Sequence, residues 1–557
     1  MASHISVPNW YAIGGASLVA SVVFFRVGQA FGSMLRLWLN RHLFHPHLLP
    51  EITRLQAVLL VVYGSINVVV LSLFLGDGPP LEQRAALVST LNVITVFLGG
   101  RTNPLVDMAN VSLRTYYFWH FWAGRVILIE GLIHAGLQIA RRANRSDSLA
   151  ISGWIVSILF LLLLIGSLPL FRRWSYAIFI KMHFVAVLGA LGGLIWHALT
   201  QSVFTKALVL LAAVSWILST LYRVMLYLRW RWGAKVTDVR VACRSTHIRV
   251  QLGKPLRPYP GMYFYLYFSG LPIRYKLHGF PMSAFFWSLP PGDVSTRDLH
   301  FLVQRRGSLA RLNVGREDVS IEGPYGKNLR AETYETVILV AEGIGIAGVL
   351  PYALHLAQRR QHDQRFKATN TPLFRDVTRK VDLLWKLNEN EEERWCEDEL
   401  VELMGMDSKK TLLSGRLFYP SPEPQKLKIP QDFAKFWKSY PGMSDKGVDD
   451  NIDHHIKWNS CSPGRSIVIV CGSRAFCRRA REFIVTTPRL EVDFAEPEFM
   501  PEDREVESSK PSKLSAAVGQ RWTRFREYPL RVAQPTYSRN RKVTVKDIRV
   551  VANQNLV

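Results

Sequence analysis

Four histidines lie inside long apolar stretches of this 557-residue sequence. Residues 118–136, FWHFWAGRVILIEGLIHAG, carry His120 and His134, and residues 181–199, KMHFVAVLGALGGLIWHAL, carry His183 and His197. The spacing is fourteen residues in both cases. An imidazole in hydrocarbon is costly unless it has a partner. Along an α-helix, fourteen residues advance about 21 Å and fall about 40° short of four turns, so each pair shares one face at two depths. One such histidine is most simply a polar packing residue between helices. Two matched pairs point instead to ligation.

The elements that must hold these residues are apolar segments near 10–32, 55–75, 84–100, 116–139, 151–171, 175–200 and 206–229. Each is close to the roughly 20 residues a membrane span needs, the third being the shortest. No Lys or Arg precedes the first segment and Arg26 interrupts it, so it reads as an anchor with an outside N-terminus, not a signal peptide. That orientation places Arg36, Arg41, Arg54, Arg101, Arg114, Arg172, Arg173, Arg229, Arg231 and Lys235 inside, against Arg84, Arg141, Arg142, Arg145 and Lys206 outside. The excess puts the C-terminal half in the cytosol. The sequon Asn144-Arg145-Ser146 then falls outside, as a glycoprotein requires.

The fourth and sixth segments run in the same direction, so His120 is level with His183 and His134 with His197. Two imidazoles at one depth can ligate an iron from both sides, and two levels can hold two b-type haems, one above the other. Bis-imidazole ligation closes the iron to substrate and favours electron transfer. Gly189, Gly192 and Gly193 leave room for a flat macrocycle. Arg125, one turn after His120, and Arg172 and Arg173 at the inner mouth are placed to pair with propionates; the last two serve equally as topology determinants.

Composition agrees with a membrane half followed by a soluble half. Hydrophobic residues make up 48% of the chain, but the long apolar runs end near residue 232. The net charge of +25 sits mainly beside apolar spans and in the last fifty residues, a pattern that positive-inside topology explains better than nucleic-acid binding. Five scattered cysteines, Cys243, Cys396, Cys461, Cys471 and Cys477, form no CxxC pair and no disulfide framework. The soluble half therefore suits a reducing compartment.

The paired histidines, GRTNPL at 100–105, HFWAGR at 120–125 and RRWSYAIFIKMH at 172–183 resemble the ferric reductase transmembrane domain. That superfamily includes the fungal metalloreductases and the NADPH oxidases. Ala177 stands where the family usually has an acidic residue.

Beyond Lys235, KVTDVRVACRSTHIRVQL (235–252), PGMYFYLYF (260–268), FPMSAFFWSLP (280–290) and VSIEGPYGKN (319–328) read as short strands divided by Pro and Gly turns, a small antiparallel barrel. In order they resemble the flavin-binding barrel of the ferredoxin-reductase family. The resemblance puts Phe280, Pro281, Met282 and Ser283 at the motif that holds FAD. Phe280 replaces the family's histidine, and His278 lies two residues earlier. Arg274 and Tyr275 would reach flavin phosphate or ribose, or stand on an exposed loop.

Residues 335–355, ETVILVAEGIGIAGVLPYALH, run from an apolar strand through a glycine-rich turn into a helix. Gly343, Gly345 and Gly348 permit close backbone approach at a helix N-terminus, where a phosphate is favoured. VDLLWKL (381–387) and SIVIVCGS (466–473) continue an α/β pattern. Cys471 and Gly472 end their strand as in the same reductase family, near the nicotinamide, although a buried strand cysteine is the plainer reading. Arg474 would meet a 2′-phosphate of NADPH or serve as a turn residue. Charged stretches at 359–376 and 388–462 read as surface insertions. In HLFHPH (42–47), contact with lipid headgroups is expected, not a metal site. The basic tail is expected to be disordered or to touch the inner leaflet.

The expected organisation is an anchor helix and loop (1–50), a transmembrane haem domain (51–234), an FAD barrel (235–330), an NADPH-binding α/β domain (331–500) and a tail (501–557). The resemblance implies a metalloreductase that moves electrons from cytosolic NADPH through FAD and two haems to ferric or cupric chelates, such as siderophore-bound iron. It also implies residence in the plasma membrane and an iron permease or oxidase as partner. Superoxide production from oxygen is the alternative. Both histidine spacings are fourteen, and the loop between the sixth and seventh spans is short, which favours an outer haem edge open to a chelate. A non-catalytic haem protein with a decayed flavin site is a third reading, supported by the altered FPMS motif.

Overall fold

The computed structural model describes residues 42–43, 52–72, 80–97, 113–141, 148–168, 171, 176–231, 234–242, 245–268, 279–287, 289, 295–304, 319–368, 371–407, 411–422, 437–487 and 492–499. The proposed anchor, GRTNPL, the sequon, Arg172, Arg173, Arg274, Tyr275, His278 and the tail lie outside these residues.

A two-residue strand β1 (His42–Leu43) pairs antiparallel with β2 (Ile52–Thr53). Six helices follow: α1 (Arg54–Ser72), α2 (Leu81–Phe97), α3 (Leu113–Arg141), α4 (Ser148–Gly166), α5 (Tyr176–Ala198) and α6 (Val203–Arg231). Each lies within a few residues of an apolar segment read from the sequence. Among the described residues, four helices, α3 to α6, are long and apolar enough to cross a membrane. Their outward faces are apolar: Ile158, Leu162, Val185 and Leu221 are all more than half exposed. Such a belt is stable against lipid, not water, and the chain is a membrane protein. Inside the bundle, Val93, Ile127, Phe160, Leu163 and Ala212 form a small core.

At 29 residues, α6 is about 43 Å long, more than the roughly 30 Å of hydrocarbon. Its C-terminal end enters the next domain, where Leu226 joins the core. That domain is an antiparallel sheet of β3 (Lys235–Ala242), β4 (Ser245–Leu256), β5 (Tyr263–Phe268), β6 (Phe280–Phe286), β7 (Thr296–Gln304) and β8 (Val319–Tyr325), in the order β3-β4-β7-β6-β5-β8. No pairing of β3 with β8 closes it among the described residues, so it is a half-barrel where a closed barrel was expected. Strand β7, with Arg297, Asp298 and His300 in its alternation, is an addition to the strands legible from the sequence.

The last domain is a parallel sheet in the order β12-β11-β10-β9-β13-β14. It comprises β9 (Thr336–Glu342), β10 (Lys380–Lys386), β11 (Leu413–Phe418), β12 (Trp437–Tyr440), β13 (Ser466–Cys471) and β14 (Val492–Ala495), with helices α7 (Ile346–Phe366), α8 (Glu397–Met406), α9 (Asp445–Ser460) and α10 (Arg474–Thr486). The reading of 388–462 as surface insertion is thereby corrected. Two strands and two helices of the domain's own fold lie there, and Leu400, Leu417, Trp437 and Ile452 are core residues. Residues 359–366 likewise continue α7. Strand order reverses between β9 and β13, and ligands of open α/β sheets bind outside the strand ends at such a switch point.

Candidate functional site: two histidine levels and a nucleotide crevice

Helices α3 and α5 bring the four histidines together in two levels. The rings of His120 and His183 are 6.2 Å apart centre to centre, and those of His134 and His197 are 6.3 Å apart. A metal–nitrogen bond of about 2.0–2.1 Å plus about 1.1 Å from nitrogen to ring centre, on both sides, gives about 6.3 Å. The two separations are thus those of axial imidazoles on either side of one ion.

Hydrogen bonding fixes the tautomers. His134 Nδ1 is 2.8 Å from the carbonyl of Glu82, so it must carry the proton and donate. His197 Nδ1 is 3.1 Å from Ser152 Oγ, whose own proton goes to the carbonyl of Leu149 at 2.9 Å. His120 Nδ1 is 3.2 Å from the Tyr116 hydroxyl, which donates to the carbonyl of Val96 at 3.2 Å. In all three Nε2 is left as the basic nitrogen, the arrangement that orients metal-bound histidines. His183 Nδ1 is enclosed without a partner. The residues present fit two bis-imidazole metal centres.

The glycines of α5 divide in role. A Cβ at Gly189 would lie 3.1 Å from Leu159, and one at Gly193 only 2.8 Å from Val156, whereas one at Gly192 would meet nothing. Gly189 and Gly193 therefore seat α4 against α5, a small-xxx-small contact. Gly192 alone of the three faces open space. The Arg125 guanidinium stacks over the Phe121 ring at 4.0 Å.

A polar cluster between the two levels escaped the sequence reading. Asn92 Nδ2 donates to Asn67 Oδ1 at 2.8 Å and to Glu130 Oε2 at 3.2 Å, and Glu130 is 3% exposed. Only the contact between helices distant in sequence makes this acid intelligible.

On the soluble side, Phe280, Pro281, Met282 and Ser283 all lie in β6, with Ser283 opposite Tyr263 of β5. The Ser283 hydroxyl is enclosed without a hydrogen-bond partner. Beside it Tyr263, Tyr265 and Tyr325 pack ring to ring at 5.5–5.8 Å. An orphan hydroxyl next to an aromatic wall is the kind of donor a bound flavin would satisfy. A clamp ties this sheet to the membrane helix. Arg223 of α6 donates to Glu322 Oε1 at 3.0 Å, Tyr325 donates to the same oxygen at 2.7 Å, and Tyr267 donates to Glu322 Oε2. Burial pushes the Glu322 carboxyl up, but Arg223 and the tyrosine hydroxyls hold it below the usual carboxylate range.

In the α/β domain, Gly343, Gly345, Gly348, Cys471 and Gly472 converge at the switch point. Gly343 has φ +53°, and a Cβ there would fall 2.2 Å from Asn388. A Cβ at Gly345 would lie 2.0 Å from the Cys471 carbonyl oxygen, and one at Gly348 2.5 Å from its Sγ. The glycines thus let the β9–α7 turn close against the end of β13. No side chain caps the N-terminus of α7; the Ile346 N–H already bonds back to the preceding turn, so an anion would meet the N–H groups that follow it. Burial pushes the Cys471 thiol well up, so it stays protonated. Phe499 covers this point, and Cys471 Sγ lies 3.5 Å from its carbonyl oxygen.

Residues 85–194 match the ferric reductase like transmembrane component, and residues 334–422 match the ferric reductase NAD binding domain. The probable cell surface ferric reductase kap2 of Aspergillus oryzae is 24% identical over 61% of this chain and 46% of its own length. The ferric/cupric reductase transmembrane component 2 of Saccharomyces cerevisiae is 24% identical over 48% and 38%. The chain thus spans about half the length, or less, of these relatives. Among solved structures, the flavohem-like FAD/NAD binding domain of nitric oxide dioxygenase from Vibrio cholerae is 15% identical, covers 48% of this chain and 98% of its own, and has a TM-score of 0.32. In this order, the two matched stretches are similar to the transmembrane and the NAD-binding modules of ferric reductases.

Proposed function

We propose that this protein is a transmembrane ferric reductase, moving electrons from cytosolic NADPH across the membrane to ferric or cupric chelates. The observation that carries the proposal is the pair of histidine levels, each at ligation distance and with Nε2 left basic in three of the four rings, in one chain with a stretch similar to an NAD-binding domain. When bound, two haems supply single-electron centres and FAD supplies the change from a hydride to single electrons.

The chain's own residues do the rest. His120 with His183, and His134 with His197, ligate at two depths about 21 Å apart. Ser152, Tyr116 and the Glu82 carbonyl hold three of those rings in orientation. Pro281 and Ser283, with the tyrosine wall, hold the flavin ring system. Phe280 and Met282 alternate with them on β6, and Arg274 and Tyr275 are assigned to its phosphate or ribose. The α7 N-terminus binds pyrophosphate, Gly343, Gly345 and Gly348 let the turn close, and Cys471 and Gly472 form the floor beneath the nicotinamide. The Arg223–Glu322 clamp fixes the distance between sheet and bundle. The reading includes seven spans, an N-terminus outside, the plasma membrane as location, and an iron permease or oxidase as receiver of the product.

The test is His197→Ala. Haem per chain should fall by half, and reduction of external ferric chelate should be lost, while NADPH binding is kept. Ferric-chelate reduction at the wild-type rate would defeat the proposed path.

A further inference from the structure

Away from the electron path, three ligating side chains meet where the half-barrel abuts the α/β domain. His247 stands on β4, His300 on β7 and Glu399 in the first turn of α8. The β4–β7 register pairs Arg249 with His300 and His247 with Leu302, so the two histidines are diagonal neighbours on one face. Phe285 backs the His247 ring at 4.9 Å, and Phe286 backs His300 at 5.5 Å.

The geometry is that of ligands sharing an ion. Glu399 Oε1 is 3.6 Å from His247 Nδ1 and 3.4 Å from His300 Nδ1. An N–H···O hydrogen bond is normally about 2.7–3.2 Å. Donors on a tetrahedral ion with bonds of about 2.0–2.1 Å stand about 3.3 Å apart. One donor atom from each residue lies within 4.8 Å of the others, a gap that small side-chain rotations close. The other nitrogen of His247, Nε2, is enclosed with no partner.

The surrounding charge also favours a cation. Arg240 lines the pocket, but Asp238 holds it at 2.9 Å and Asp398 at 2.6 Å, and Arg249 is held by Asp298 at 3.1 Å. Two guanidiniums thus face four carboxylates once Glu399 is included. Glu399 is almost buried while the two imidazole side chains are 14% and 17% exposed, which leaves the histidine side open to solvent.

We propose that His247, His300 and Glu399 bind one divalent transition-metal ion of the zinc class, which staples the half-barrel to α8 of the nucleotide-binding domain. Two imidazoles and a carboxylate suit zinc and its neighbours over calcium or magnesium, which take all-oxygen shells. The site is separate from the four intramembrane histidines and does not depend on the electron path.

The test uses the full chain in detergent, stripped with a chelator and titrated with zinc. Calorimetry should show one more zinc bound by the wild type than by His300→Gln or Glu399→Gln, or at least tenfold tighter binding at that step, with haem content unchanged in all three. Equal stoichiometry and affinity in the three proteins would overturn the proposal. X-ray absorption at the zinc edge of the wild type alone is the second readout, independent of how the variants fold. Outer-shell scattering from two imidazoles and an oxygen ligand is expected, and sulfur ligation, as from the exposed Cys461, would also overturn it.

Discussion

Ser152, Tyr116 and the carbonyl of Glu82 each accept a hydrogen bond from a histidine Nδ1–H and so decide which nitrogen faces the metal. Losing such a partner typically costs 10–100-fold in ligand affinity and lowers ligand basicity. Ser152→Ala should therefore keep His197 in place but raise the midpoint potential of the outer centre, read by spectroelectrochemistry, with the inner centre unmoved. An unchanged outer potential would mean that the 3.1 Å contact does not tune the ring. Gly345 makes a second prediction at this scale. Its added methyl would meet the backbone oxygen of Cys471, which cannot rotate away. Gly345→Ala should destabilise the α/β domain by roughly 1–3 kcal/mol, as overpacking does. Limited proteolysis should then cut within residues 331–500 while the haem spectrum is preserved. The sequence marked Gly345 as a residue beside phosphate; its contact with β13 joins segments 126 positions apart and has no local signature.

Helix α6 leaves the membrane without a break and carries Arg223 and Leu226 into the half-barrel. This makes the soluble sheet an extension of the bundle, not a tethered domain. Glu322→Gln removes the charge that Arg223 binds. Stopped-flow mixing with NADPH should show flavin reduced at the wild-type rate but haem reduction slowed about tenfold or more, since misplacement by an ångström is enough to cost that much. The link has a defined pH range. Because the folded carboxyl titrates below its unfolded value of about 4.3, the stabilisation is complete above that value and is lost as pH falls through the lower, folded one. Between pH 6 and 8 the clamp should therefore contribute no pH dependence to the haem-reduction rate.

Across the molecule, what the sequence made legible was periodic or local. Hydropathy located α1 to α6 within a few residues, and the fourteen-residue spacing paired the histidines in the levels the structure shows. The glycine-rich turn and the Cys471-Gly472 strand end likewise marked residues that meet where β9 and β13 end. What stayed hidden depended on distant partners. NENEEER (388–394) looks like solvated loop, yet Glu392, Glu393 and Trp395 are buried, with the Glu393 carboxylate accepting from Tyr419 at 2.8 Å. Strand β7 carries charges because its polar face turns toward Arg249 and Glu399. Glu130 has no local signature in its apolar span; its Oε2 accepts from Asn92 of another helix, while its Oε1 is enclosed without a partner.

On the proposed path, NADPH bound at the β9–β13 crevice delivers electrons to both histidine levels. The most direct measurement is an anaerobic difference spectrum of the solubilised protein reconstituted with haem and FAD, first with NADPH and then with dithionite. NADPH alone should bring up the reduced bis-histidine bands to nearly the dithionite amplitude, and His197→Ala should give about half of it. Bands that appear only with dithionite would refute this electron path, leaving a haem protein whose Phe280–Ser283 strand no longer couples a flavin to the membrane half.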